Sequence, residues 1–94
     1  MKNEPVEKEI GRLRRQIDEI DEHILALINK RLAFAGKIGD LKELGGKSVM
    51  DDAREVKVIK HLISINKGPL PENSLRRIFY KIIHASREIQ KPFP

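Results

Sequence analysis

The chain has no cysteine and no tryptophan, and aromatic residues fill only 4% of its 94 positions. Missing thiols exclude disulfides and thiolate metal ligands, and they agree with a reducing compartment. No apolar run extends beyond a few residues, so nothing reads as a bilayer span and no membrane partner is expected. No charged-then-apolar leader with a small-residue cleavage site opens the sequence, which sets the expectation of a cytoplasmic protein. His23, His61 and His84 are isolated from one another, and no glycine-rich phosphate loop occurs. Neither a metal nor another cofactor is expected. Strand-like alternation, internal repeats and low-complexity tracts are also missing.

What is present is charge and helical pattern. Charged residues are 35% of the chain and hydrophobic ones 39%, the balance of an amphipathic helical protein. Ninety-four residues make one domain, spanning 1–94, near the lower limit for a self-sufficient core. The net charge of +5, from 19 Lys and Arg against 14 Asp and Glu, could attract nucleic acid, an anionic surface or a small anion. The basic residues are mixed with acids along the chain, so charge alone does not choose among these.

Ile10, Leu13, Ile17, Ile20, Ile24, Leu27, Arg31, Phe34, Ile38 and Leu41 recur in steps of three and four. That spacing is a heptad seam, apolar at every position except Arg31. Leu25, Ile28 and Leu32 widen it, and "LGGK" supplies a stop. One helix is expected over about residues 6 to 44, roughly 55 Å long at 1.5 Å per residue. A compact monomer of this size would be only about 30 Å across. Fifty remaining residues cannot cover such a helix, so a second copy of the chain is the expected cover, in an obligate homodimer.

A second helix is expected over about 51–66, capped by Asp51 or Asp52, with Glu55 three residues after Asp52 as in a capping box. "NKGPLP" breaks it. A third, over about 71–90, carries Leu75, Ile78, Phe79, Ile82 and Ile83 at helical spacing. The fold class is therefore all-α, three helices per chain with a long first helix.

Several polar residues stand where apolar ones belong. Arg31 sits on the seam, and an unpaired charge there must meet a counter-charge, water or a ligand. Lys42, eleven residues on, projects from nearly the same stripe about 16 Å further along the axis. A small anion between the two heads is one account. An internal salt bridge, for example to Glu55, with Lys42 reaching into solvent, is the other. Ser86 and Gln90 continue the buried stripe of the third helix with hydrogen-bonding groups, or belong to a fraying last turn. Asp51, Arg54 and Glu55 alone read as a helix start with a local ion pair. Arg14 lies about 25 Å of helix from Arg31, so both can serve one small pocket only across an antiparallel dimer.

Taken in order, "LRRQIDEIDEHILALINKR", "KIGDLK", "DDARE" and "IIHASREIQ" resemble the all-helical, AroQ-type chorismate mutase family over about residues 10 to 90. The resemblance implies an intertwined helical homodimer with two equivalent active sites. It implies conversion of chorismate to prephenate, a pericyclic Claisen rearrangement in phenylalanine and tyrosine biosynthesis. It implies that Arg14, from the partner subunit, and Arg31 clamp the substrate carboxylates. Lys42 would contact a carboxylate and the ether oxygen, and Gln90 would be the other donor to that oxygen. Ser86 and Arg54 would make carboxylate-side contacts, with Asp51 and Glu55 near the ring hydroxyl. Domains of this kind are often associated with another shikimate-pathway enzyme, including prephenate dehydratase. The chemistry fits the composition: an intramolecular rearrangement of a dianion needs neither nucleophile nor metal.

Two other functions compete. Isochorismate–pyruvate lyase shares the fold, but Glu55, placed for the ring hydroxyl, favours the mutase. A basic helical dimer binding nucleic acid belongs to a different class. Its cations, however, would have to leave the apolar stripes to reach a duplex, and no recognition motif occurs; no nucleic-acid partner is expected.

Overall fold

The computed structural model describes residues 3–90. These form three α-helices, α1 (Glu4–Leu44), α2 (Asp52–Ile65) and α3 (Glu72–Gln90). Among the described residues there is no strand, and no helix is long and apolar enough to cross a membrane. The helix α1 begins two residues before the expected Val6. Pro5 is accepted there because the amide hydrogens of a first helical turn have no intrahelical acceptor.

The contacts divide the chain into residues 1–30 and residues 31–94. In the first part, the apolar seam of α1 has no cover from its own chain: Ile10, Leu13, Ile17, Ile20, Ile24 and Leu27 are all exposed, Leu27 by 64%.

The second part holds the core. Among the described residues, Ala35 of α1, Ile59 of α2, and Leu75 and Ile83 of α3 are the buried apolar side chains. This is a small core, and Phe34, Ile38 and Leu41 of the same seam stay exposed beside it.

Helix α1 ends in a Schellman motif. Gly46 adopts φ +64°, Lys47 N–H donates to the Lys42 carbonyl at 2.7 Å, and Gly46 N–H donates to that of Glu43 at 3.2 Å. The turn sends residues 47–51 back over the end of α1. Helix α2 is then capped by Asp51, whose side chain accepts from Arg54 N–H at 3.0 Å. Such a cap contributes about 1 kcal/mol. With Asp51 as the cap, Glu55 falls one position too late for the expected capping box, and its carboxylate is free for other partners.

Helix α3 runs close to α1 at Gly39, where no Cβ fits, and more loosely at Gly36. A Cβ on Gly39 would stand 2.8 Å from the Gln90 Cα, and one on Gly36 would stand 3.3 Å from an Ile89 methyl. Gly39→Ala is therefore expected to destabilise the protein by about 1–3 kcal/mol. The displacement falls on the backbone that carries Gln90. Urea denaturation would check the stability loss.

Candidate functional site

A cavity of about 450 Å³ opens among the end of α1, the 45–51 turn, the start of α2 and the end of α3. That volume suits a small metabolite. Arg31, Lys42, Asp51, Arg54, Glu55, Ser86 and Gln90 all line it, so seven residues expected from the sequence are brought together. Its apolar wall comes from Phe34, Ala35, Ile38, Val49, Val58 and Ile83. Arg14 lies in residues 1–30, exposed on α1.

Arg31 is half-buried, and among the described residues no carboxylate pairs with it. The internal salt bridge to Glu55 is not formed. Instead its Nη1 donates to Ser86 Oγ at 2.5 Å. Ser86 is buried, and its hydroxyl in turn donates to the Ile82 carbonyl one turn back at 2.9 Å. The hydroxyl hydrogen is thus used within the helix, and a lone pair aims the guanidinium. Ser86 therefore stands within ordered helix beside Arg31, and is not part of a frayed end. Arginine has five N–H donors, so most of those on Arg31 remain for an anion.

Lys42 is also held rather than trailing in solvent. Its Nζ donates to the Val49 carbonyl and to Gln90 Oε1, each at 3.0 Å. Both acceptors are neutral, so the ammonium keeps its charge uncompensated with one hydrogen to spare. Because Oε1 is taken by Lys42, the Nε2 hydrogens are the free donors of Gln90. Two donors therefore stand side by side, one charged and one neutral. Their order follows from local structure: the Schellman turn brings Val49 over Lys42, and Gly39 admits Gln90.

Asp51 also lines the cavity, with one carboxylate oxygen committed to its cap. Arg87, on α3, also lines the cavity and lies against Glu55, with Nε 3.2 Å from Oε2. Arg87 is not among the residues expected from the sequence. Its spacing carried the signal: it follows buried Ile83 by four residues, hence on the same helical face.

The cavity offers Arg31, Lys42, Arg54 and Arg87 against Asp51 and Glu55, a cationic surplus walled by apolar side chains. It can orient an anion and stabilise charge on an oxygen. The basic groups face into a cleft, a poor arrangement for a nucleic-acid duplex.

Comparison with known proteins points the same way. The family model described as chorismate mutase type II matches residues 13–91. The bifunctional chorismate mutase/prephenate dehydratase of Neisseria gonorrhoeae is 39% identical over 79 residues, covering 84% of this chain and 21% of that protein. The chain thus spans about a fifth of that relative's length. A chorismate mutase of Methanocaldococcus jannaschii is 29% identical over 87 residues, covering 92% of this chain and 88% of that one. Among solved structures, the chorismate mutase of Thermus thermophilus (form II) superposes with a TM-score of 0.85 at 30% identity. That match covers 87% of this chain and 93% of the Thermus chain.

Proposed function

Since this chain belongs to the type II chorismate mutase family, we propose that its cavity binds chorismate and rearranges it to prephenate. Chorismate carries two carboxylates, and the reaction is intramolecular: the ether C–O bond breaks as a C–C bond forms. No proton transfer or nucleophile is required. The work of the protein is to hold the enolpyruvyl side chain over the ring and to stabilise the charge that grows on the ether oxygen.

Arg31, aimed by Ser86, would clamp one carboxylate with paired hydrogen bonds. Lys42 and Gln90 would meet at the ether oxygen, where each donor gains strength as the bond lengthens. The observation that carries this reading is the pair of hydrogen bonds holding Lys42 Nζ between Val49 O and Gln90 Oε1. It fixes an ammonium and an amide donor beside each other before any substrate arrives. Arg54, Asp51 and Glu55 line the same cleft, the arginine for a carboxylate and the two acids for the ring hydroxyl.

The second carboxylate is assigned to Arg14 of a partner subunit, and the chain is taken to act as a single mutase domain within a homodimer. Nine apolar members of the α1 seam are exposed in the isolated chain, a stripe that a second copy of the same helix would cover. An expected cytoplasmic setting and an association with another enzyme of the pathway belong to the same reading. The latter is supported by the gonococcal relative, whose name joins the mutase to a prephenate dehydratase.

The test is an assay of chorismate disappearance with prephenate identified as product, run beside sedimentation. Prephenate and a particle of twice the 10.8 kDa chain mass are expected. Salicylate and pyruvate from isochorismate, without prephenate from chorismate, would assign the site to the lyase. A monomer at assay concentration would remove the shared pocket.

A further inference from the structure

We propose that Arg87 is a positioning residue for the reaction: it offsets the charge of Glu55 at the cavity wall, so that a dianion can enter beside an acid. This rests on the mutase reading of the cavity and adds to it a role for a residue outside the set carried by the family resemblance.

The starting point is an electrostatic problem. A substrate with two negative charges must share a cleft with Glu55, which is only 17% exposed in its side chain. A carboxylate that little solvated would repel the incoming dianion unless a cation stood against it. Arg31 and Lys42 do not perform this task, since their partners are Ser86, Val49 and Gln90. Arg87 does. Its Nε lies 3.2 Å from Glu55 Oε2, and its side chain is 27% exposed.

The pairing is one of charge more than of hydrogen bonding. The Arg87 Nε–H is buried and has no acceptor in line, although the carboxylate oxygen is within reach. The two side chains are therefore adjacent but not locked by a directed bond. Nη1 of the same guanidinium stands 3.2 Å from Met50 Sδ, in the segment whose Val49 carbonyl fixes Lys42. Arg87 thus ties α3 both to the start of α2 and to the turn before it. Glu55 is available for this contact because Asp51 took the capping position.

Four proteins test the role: Arg87→Leu, Arg87→Lys, Glu55→Gln and the double variant Arg87→Leu/Glu55→Gln. For chorismate, Arg87→Leu should raise KM by about tenfold while kcat moves much less, a moderate effect because both side chains keep some solvent. Arg87→Lys should recover most of that loss. The double variant should bind better than Arg87→Leu alone, because the second change removes the uncompensated charge. A structural role predicts the opposite, with two lesions adding.

A dicarboxylate separates this inference from the mutase assignment. Calorimetric titration with malonate should show weaker binding for Arg87→Leu, partial recovery in the double variant, and tighter binding than wild type for Glu55→Gln. The last variant keeps every arginine and nearly the same side-chain shape, so it reports even if Arg87→Leu fails to fold. Unchanged or weaker malonate binding by Glu55→Gln, or a double variant no better than Arg87→Leu, overturns the proposal. Should the wild-type protein leave chorismate unconverted, the mutase reading falls, and the malonate series still decides what Arg87 does to Glu55.

Discussion

Lys42→Ala is expected to lower kcat by about 10²–10³-fold, with KM changed far less. The asymmetry follows from where the charge appears. In bound chorismate the ether oxygen is a weak acceptor, so an ammonium beside it contributes little to ground-state binding. As the C–O bond lengthens, negative charge builds on that oxygen, and the same ammonium gains strength without moving. It is already held in place by Val49 O and Gln90 Oε1, so little reorganisation is needed. Removal corresponds to about 2.7–4 kcal/mol of transition-state stabilisation, the scale of a lost oxyanion donor. Steady-state kinetics at saturating chorismate would measure it. Near-normal turnover with a raised KM would instead make Lys42 a binding group only.

The second large effect concerns two chains at once. On the proposed assignment, Arg14→Ala and Arg31→Ala should each abolish turnover, because each would leave one substrate carboxylate without a guanidinium. If Arg14 serves the partner's cavity, mixing the two dead proteins and letting subunits exchange should restore activity. In a mixed dimer one site keeps both arginines and the other loses both. Random exchange then leaves about a quarter of all sites intact. Activity should rise from near zero towards that fraction with the kinetics of subunit exchange. Persistent inactivity in mixtures shown by mass to contain heterodimers would mean that Arg14 does not reach across.

Part of the cavity lining is legible in the sequence. The break in the seam at Arg31 is visible because a charge at a heptad position conflicts with its neighbours, and that conflict marks a site. The polar continuation of α3 through Ser86 and Gln90 is visible on the same ground. Other features were not. Asp51 and Asp52 are equally good caps by residue type, and only the backbone path out of the Schellman turn selects Asp51. That choice in turn releases Glu55 to Arg87. The contact between Ser86 and Arg31 was likewise hidden, since spacing along α3 says nothing of what that serine meets on α1.

Periodicity and punctuation alone determined the three helices and the amphipathic seam, because both depend on interactions between residues a few positions apart. They also determined that Arg31 must find an anion or an acceptor, because burial of a lone charge is costly wherever it occurs. Which acceptor it finds, how Lys42 and Gln90 come to stand together, and why Glu55 meets Arg87 were decided by tertiary structure. Those pairings join residues 32 to 55 positions apart, and no local rule acts over such distances. The two that join α1 to α3 depend on how closely those helices approach, and Gly39 permits that approach because it has no Cβ to keep the two backbones apart.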